Sequence, residues 1–178
     1  MQIRQESPDD VAAIRAVTAA AFAGMAHSMP PVDPDGVPGE ASLVGWLRES
    51  AGWIPELSLV AEAGGQIVGH AVATRGTVDG EPALGLGPVS VAPDRQGGGV
   101  GSALVRGVIA AADELGEPLM VLLGEPAYYS RFGFRPATEL GIASPDPEWG
   151  DYFQARPLAA YDPALTGTFR YAEPFTRA

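Results

Sequence analysis

Apolar residues recur at helical spacing in the first third of the chain and predict two helices. Ser7 followed by Pro8 is typical of a helix start, because a hydroxyl can cap the first amides and proline suits the first turn. The apolar residues that follow fall on one helix face: Val11, Ile14, Val17, Ala21 and Phe22. A second predicted helix has the same spacing at Leu43, Trp46 and Leu47. Residues 24–39 between them are rich in Pro and Gly and are predicted to form a loop.

Apolar runs of strand length follow, and they predict a sheet. The main runs are residues 57–63, 66–75, 83–91 and 119–124. Gly64-Gly65 joins the first two runs as a hairpin, and Asp79-Gly80 marks the next turn. A short strand is predicted before them over residues 3–5, and further strands are predicted over 133–136, 152–158 and 168–171.

A long helix is predicted between the third and fourth of these main runs. Its apolar residues lie at helical spacing, at Val100, Leu104, Val108, Ala111 and Leu115. Gly116 is placed to end it. A meander of strands followed by strand, helix and strand predicts a mixed sheet, and a brief helix is predicted over residues 127–132. The length of 178 residues indicates one domain spanning residues 1–178.

The composition narrows the partners and the chemistry. Eleven arginines and no lysine stand against 22 acidic residues, and the net charge of −11 argues against nucleic acid and anionic membranes as partners. Without cysteine, thiolate chemistry is excluded, and with only His27 and His70 no metal site is predicted. No apolar run approaches the roughly 18 residues of a membrane span, and the acidic N-terminal segment does not resemble a signal peptide, so a cytoplasmic location is expected.

The segment Gln96-Gly97-Gly98-Gly99-Val100-Gly101 lies between a strand and a helix and predicts a pyrophosphate site. The first amides of a helix have no intrahelical acceptor, and glycine lets phosphate oxygens approach the backbone closely. An ATPase-type phosphate loop would need a lysine, which the chain lacks. A dinucleotide fingerprint would need a last glycine where Leu104 stands.

The same residues resemble the GNAT superfamily of N-acyltransferases, which use acetyl-coenzyme A. The family pattern [RQ]xxGx[GA] is matched by Gln96, Gly99 and Gly101. Residues 119–124 are similar to the next family strand, and residues 128–134 match its Y-x-x-x-G-F element. The segments LGPxxV, YYxRFGF and Gly167 to Tyr171 resemble one branch of predicted acetyltransferases.

The resemblance implies a mixed α/β fold, in which a central twisted mixed β-sheet of about six to seven strands is flanked by about four helices. It also implies that acetyl-coenzyme A binds to the strand before the glycine loop, to the loop and to the start of the helix. The implied cofactor-binding residues are Val89, Val91, Gln96, Gly97, Gly98, Gly99, Val100, Gly101 and Ser102. Val89 and Val91 would contribute backbone groups. Arg95 and Arg106 flank the loop and could approach the phosphates.

The resemblance also assigns catalytic roles. Tyr129 matches the family tyrosine that protonates the departing sulfur, and a phenol with a pKa near 10 carries its proton at neutral pH. The Val91 N–H is the candidate that polarises the thioester carbonyl. Ser90 is a candidate for holding a water that takes the amine proton. Tyr128 is assigned to packing.

Other residues are candidates for the general base and for the acceptor pocket. Glu40, Glu125 and Asp151 are open alternatives for the base, while His70 alternates with apolar residues and is expected in the core. The acceptor pocket is expected between the loop of residues 24–39, the second helix and residues 144–151. Its candidate contact residues are His27, Trp46, Trp53 and Trp149.

Two functions of different classes follow from these residues. The leading hypothesis is an N-acetyltransferase that acetylates a primary amine of a small molecule or peptide by direct attack in a ternary complex. The alternative is a non-catalytic acyl-coenzyme A sensor with the same fold. Tyr129 favours catalysis, because a sensor needs only the cofactor cradle. A homodimer formed through a C-terminal strand is left open.

Overall fold

The computed structural model describes residues 1–177, and Ala178, which the single-domain prediction includes, lies outside them. Four α-helices form: α1 (Val11–Phe22), α2 (Gly39–Glu49), α3 (Val100–Glu114) and α4 (Pro126–Tyr129). The strands are β1 (Gln2–Gln5), β2 (Ser58–Ala63), β3 (Gln66–Val78), β4 (Glu81–Val91), β5 (Leu119–Leu123), β6 (Arg135–Pro136), β7 (Ile142–Ala143), β8 (Phe153–Pro157) and β9 (Gly167–Arg170). These elements confirm the predicted mixed α/β fold.

The main sheet has the strand order β1-β2-β3-β4-β5-β8-β6. Its neighbours are antiparallel except for β4 and β5, which run parallel and are connected through α3. β9 adds to β3 through Thr77 and Val78, and it pairs in parallel with β7. The predicted strand of residues 168–171 therefore forms, and it extends the sheet outside the main order.

The helices cover both faces of the sheet. α3 packs Leu104, Val105 and Val108 on one face, in a cluster that includes Leu59 and Leu84. On the opposite face, Ile14 of α1 and Val44 of α2 pack on Val60 of β2. Successive strand residues point to opposite faces, so Leu59 contacts one helical layer and its neighbour Val60 the other.

Several element boundaries differ from prediction, and two of these differences have a clear physical cause. A 3₁₀ turn over Pro8–Asp10 precedes α1, so the α-helix begins after the predicted start at Ser7. The Asp10 carboxylate accepts the Ser7 amide and pairs with Arg4 at 2.7 Å, which holds this turn against β1. β3 continues three residues beyond its predicted end at Arg75, because β9, which is remote in sequence, pairs with Thr77 and Val78.

Candidate active site

The parallel pair β4 and β5 separates beside α3 and leaves a gap in the sheet. The two strands pair only at Leu84 with Met120 and at Gly85 with Val121. Beyond Gly85, β4 bends away at a bulge, where three steps along β4 oppose two along β3. Gly87 lies in this bulge with φ of 138°, a backbone conformation that favours glycine. The bulge turns the end of β4 away from β5 and opens the gap.

The backbone of β4 presents polar groups to this gap. The Ala92 amide donates to the Val68 carbonyl at 2.8 Å. Hydrogen-bonded and non-hydrogen-bonded residue pairs alternate along an antiparallel ladder. The backbone N–H and C=O groups of Ser90 therefore point toward β3, and those of Val89 and Val91 point away from β3. The Val91 carbonyl accepts the Gln96 side chain at 3.2 Å. The amides of Val89 and Val91 are therefore aimed at the gap, as a cofactor arm along β4 requires.

The glycine loop follows β4 and ends at α3. Gly97 and Gly99 have φ of 80° and 90°, so both positions favour glycine. The first bond of the helix ladder runs from the Ala103 amide to the Gly99 carbonyl at 3.0 Å, which leaves the preceding amides of α3 without intrahelical acceptors. A side chain at Gly101 would meet the Tyr128 hydroxyl, since its Cβ would lie 3.0 Å from that oxygen. The loop is exposed, and its backbone fits a pyrophosphate held by N–H groups.

The structure places one arginine near the loop that was not expected there, in addition to Arg106. The Arg106 guanidinium lies over the Phe132 ring, 4.9 Å from its centroid. Arg131, which the sequence did not single out, lies over the Tyr128 ring at 4.6 Å, and Tyr128 in turn reaches Gly101. The contacts of Arg131 itself are local, since its Nε also donates to the Tyr128 carbonyl at 2.9 Å, and only the packing of Tyr128 on Gly101 brings it near the loop.

The gap opens into a cavity of about 1070 Å³. All three segments expected around the acceptor contribute to its lining: the loop after α1 through Met25 and Met29, α2 through Glu40 and Leu43, and residues 144–151 through Pro145 and Trp149. The lining also includes Leu86 to Val89 of β4 and Leu122 to Glu125 at the end of β5. The cavity therefore meets the gap where β4 and β5 part.

The sequence missed one wall of this cavity. Residues of β9 and of the C-terminal 3₁₀ turn line it, namely Thr168, Phe169, Arg170, Tyr171, Glu173, Phe175 and Thr176. Of the expected contact residues, Trp149 lines the cavity, whereas Trp46, Trp53 and His27 do not. Trp46 and Trp53 pack with Leu43 and Leu47 instead, under the guanidinium groups of Arg177 and Arg48.

Tyr129 lies on the wall where the gap meets the cavity. Glu125 caps α4 by accepting the Ala127 amide, and the Tyr129 amide donates to the Glu125 carbonyl at 3.0 Å, so this short helix holds the ring beside β5. The ring contacts Tyr128 edge to face at 4.9 Å. Burial, with a smaller contribution from Tyr128, raises the pKa of Tyr129 to about 12. The phenol therefore keeps its proton at neutral pH and can donate it.

Three carboxylates line the cavity, and they have different partners. Glu40 is buried and accepts the Met29 amide at 2.7 Å and the Ser28 hydroxyl at 3.1 Å, so it holds the loop after α1 in place. Glu173 pairs with Arg177 at 2.7 Å. Glu125 is exposed and has no cation within 4.0 Å among residues 1–177. Asp151, the third candidate base, is absent from the lining.

The position of Ser90 does not fit the water-holding role predicted for it. Its side chain is 1% exposed, and its hydroxyl donates to Thr18 of α1 at 3.3 Å. Because Ser90 lies between Val89 and Val91, its side chain points to the face covered by α1. His70 lies opposite Ser90 on β3 and is fully buried, as the sequence predicted for a core histidine.

The two predicted backbone groups of β4 also differ in position. Val89 lines the cavity, whereas Val91 lies nearer the glycine loop, with its side chain 3.5 Å from the place of a Cβ at Gly101. Val89 therefore lies nearer the cavity, and Val91 lies nearer the start of α3. The sequence could not separate them, because both follow the bulge on the same side of β4 and only the packing around each one shows which lies nearer the cavity.

Among the described residues, no group of three or more His, Cys, Asp or Glu side chains is placed to hold a metal ion. Within residues 1–177, none of the helices combines the length and the apolar character needed to cross a bilayer.

Comparisons with known proteins agree with this geometry. Residues 55–136 match the family model of the acetyltransferase (GNAT) domain. The chain is 38% identical over 143 residues to the uncharacterized N-acetyltransferase YjhQ of Escherichia coli, which covers 76% of this chain and 79% of YjhQ. It is 34% identical to the uncharacterized N-acetyltransferase YhbS of Escherichia coli, over 99% of both chains.

Solved structures of similar proteins contain the expected kind of ligand. The crystal structure of Escherichia coli YhbS in complex with CoA has a TM-score of 0.84 and 32% identity, covering 99% of this chain and 92% of that one. A GNAT family acetyltransferase from Brucella melitensis in complex with acetyl-CoA has a TM-score of 0.77 and 36% identity, covering 98% and 97% of the two chains. The chain therefore belongs to the GNAT family of N-acetyltransferases.

Proposed function

We propose that this protein transfers the acetyl group of acetyl-CoA to a primary amine of a small molecule or peptide, by direct attack in a ternary complex. The observation that carries the proposal is the gap between β4 and β5, which connects the glycine loop to a cavity lined by Tyr129 and Glu125. The complexes of similar proteins with CoA and acetyl-CoA support it. Bound acetyl-CoA supplies an acetyl thioester, which is already activated for transfer to nitrogen.

The functional residues fall into two groups: those that bind acetyl-CoA, and those that stabilise charge or transfer protons during the reaction. Amides of the glycine loop and of the first turn of α3 bind the pyrophosphate, and the absence of side chains at Gly97, Gly99 and Gly101 gives it room. The Val91 backbone holds the pantetheine arm along β4. The Val89 amide points at the carbonyl oxygen of the thioester and stabilises the negative charge that develops there.

Proton transfer involves Glu125 and Tyr129. Glu125 accepts a proton from the acceptor ammonium, directly or through a water, and the freed lone pair forms the new C–N bond. As the C–S bond breaks, Tyr129 donates its proton to the sulfur. The attacking nitrogen loses its second proton to solvent, Glu125 also releases its proton to solvent, and Tyr129 regains one from solvent, so a net one proton is released for each amide formed. The enzyme needs no covalent intermediate, because positioning supplies the main advantage.

The test is release of free CoA thiol from acetyl-CoA in the presence of amines, aminoglycosides, amino acids and peptides. We expect turnover with at least one amine, and we expect Glu125→Gln to lower kcat by about 100-fold, which is typical for loss of a general base. The matched control is Glu114→Gln, since Glu114 is exposed at the far end of α3. Binding of acetyl-CoA without acetylation of any amine would favour the sensor and contradict the proposal.

A further inference from the structure

The walls of the cavity are mainly apolar. Met25 and Met29 come from the loop after α1, Leu43 from α2, Trp149 from residues 144–151 and Phe175 from the C-terminal turn. Three of these five, Met29, Leu43 and Phe175, belong to one apolar cluster beside the cavity. A polar acceptor would lose its hydration against these walls without gaining hydrogen bonds in return.

Two of the apolar side chains that line the cavity are exposed. Large hydrophobic side chains are rarely exposed in this structure, yet Met25 is 54% exposed and Leu123 is 48% exposed, and both line the cavity. A third exposed side chain, that of Tyr152 at 55%, lies beside this part of the lining, since the Tyr152 carbonyl accepts a hydrogen bond from the Gly124 amide at 2.9 Å. Exposed apolar residues that gather at a pocket mark a surface used for binding.

Charged residues of the lining are mostly acidic. Glu40, Glu125 and Glu173 stand against one guanidinium, that of Arg170. Glu40 and Glu173 already have partners within the protein, which leaves Glu125 to meet a cation at the end of β5. The site therefore combines an apolar chamber with one acidic group beside the thioester position.

We infer that the acceptor is a small primary amine carried on an apolar body, an aliphatic chain or an aromatic ring. Its ammonium group lies at Glu125, and its apolar body fills the space between Met25, Met29, Leu43 and Phe175. This inference rests on the proposed function and narrows it. Polyamines and aminoglycosides would bury charges and hydroxyls against apolar walls, and a peptide would bury backbone amides there, each at a cost in binding free energy.

The test compares acetylation of a homologous series from n-propylamine to n-octylamine, together with 2-phenylethylamine, spermidine and a short peptide. We expect kcat/KM to rise by about threefold to fourfold with each added methylene until the cavity is full, because each buried methylene contributes about 0.8 kcal/mol. A flat series, or a preference for spermidine or the peptide, would overturn the inference.

A matched pair of variants separates the cavity from general effects on the fold. Leu123→Gln changes the opening, and Leu115→Gln changes a leucine of similar exposure, 45%, at the end of α3. We expect Leu123→Gln to raise KM for n-octylamine about tenfold more than KM for n-propylamine, since loss of apolar contact affects the longer chain more. Leu115→Gln should change neither. Equal losses for both amines in Leu123→Gln would count against the assignment.

The two proposals can fail separately. Absence of acetylation with every amine would remove the proposed function, and the cavity would then be tested by calorimetric binding of n-octylamine and n-propylamine to the CoA-saturated protein. Tighter binding of n-octylamine would support an apolar amine site, and equal or undetectable binding of both would overturn it.

Discussion

Two adjacent tyrosines show how the environment of a residue decides its role. Tyr128 and Tyr129 contact each other edge to face, but they point to different places. The Tyr128 ring lies under Arg131, and its hydroxyl is next to Gly101 at the start of α3. Tyr129 faces the cavity, and its hydroxyl makes no hydrogen bond within the part of the chain that the structure describes. Of these two tyrosines, Tyr129 is the one placed to give a proton to a group in the cavity.

Replacing Tyr129 should therefore affect chemistry more than binding. We expect Tyr129→Phe to lower kcat by about 100-fold, because the departing sulfur loses its proton donor. The dissociation constant for acetyl-CoA should change by less than about twofold, since the ring and its packing are kept. Steady-state kinetics and calorimetry measure the two quantities.

Tyr161→Phe is the matched control for this change. Tyr161 packs on a different apolar cluster, that of Val78 and Phe153, and is absent from the cavity lining. Its hydroxyl has no role in the proposed chemistry, so kcat should stay at the wild-type value. Full activity of Tyr129→Phe would remove Tyr129 from the mechanism.

Among the elements, the start of α3 combines two features that sequence and structure supply separately. The glycines come from the sequence, and the free helix amides come from the ladder that begins at Ala103. The approach to these amides is lined by β4 and α4, through Val91 and Tyr128. A side chain at Gly101 would therefore enter the space needed by the phosphates and press on a neighbouring element.

We expect Gly101→Glu to weaken acetyl-CoA binding by at least about 100-fold, because a carboxylate would repel the pyrophosphate inside its own site. The control is Gly45→Glu, which adds the same charge to a helical glycine of α2 with no atom within 4 Å of a new Cβ. Calorimetry measures affinity, and circular dichroism confirms that both variants fold. Unchanged affinity in Gly101→Glu would place the cofactor elsewhere.

For the whole molecule, the sheet has different chemistry on its two faces. The face under α3 is apolar, whereas the face under α1 and α2 contains a buried polar chain. The Ser58 hydroxyl donates to Glu6 and lies 2.8 Å from Nε2 of His70, so the histidine donates from Nε2. Nδ1 of His70 has no partner among the described residues.

Protonation of His70 or Glu6 in this hydrogen-bonded group of side chains is unfavourable in the folded protein. Burial lowers the pKa of His70, and the nearby Glu6 carboxylate offsets this only in part. Burial raises the pKa of Glu6, but His70, Arg48 and Ser58 outweigh it and hold that pKa at about 2. Both groups therefore bind protons more readily in the unfolded chain.

The free energy of unfolding should decrease in two steps as the pH is lowered. Stability rises with pH wherever the unfolded state binds more protons, so His70 should lower the free energy of unfolding as the pH falls from 7 to 5.5. Loss of the Glu6 contribution should follow from about pH 4.5 down to about 2. Denaturant titrations at several pH values measure both steps.

The variant His70→Gln identifies the first step. It removes the titrating group while keeping a polar side chain, so the slope of unfolding free energy between pH 7 and 5.5 should become nearly flat. The second step should remain, because Glu6 keeps its bonds from Arg48 and Ser58. An unchanged slope in His70→Gln would assign the first step to other groups.

Much of the fold and part of the site could be predicted from sequence. Helix faces, strand runs and the glycine loop depend on residues close together in the chain, so their spacing is visible without coordinates. The predicted Asp79-Gly80 turn forms with φ of 45° and 86° at its two residues, as a tight hairpin turn requires. The cavity could be located only roughly, because three of its walls were identified and the C-terminal wall was missed.

The amino-acid sequence by itself determined the helices, the strands other than the two-residue β7, the glycine loop and the position of Tyr129 in its motif, because each depends on local backbone preference and local spacing. Only the tertiary structure decided which groups meet. Pairing with β3 aims Val89 at the gap and turns Ser90 toward α1. Pairing of β9 with β3 and packing of the C-terminal turn against α2 enclose the cavity with apolar walls. These contacts join residues far apart in the chain, and their geometry follows from the pairing and packing of the whole sheet.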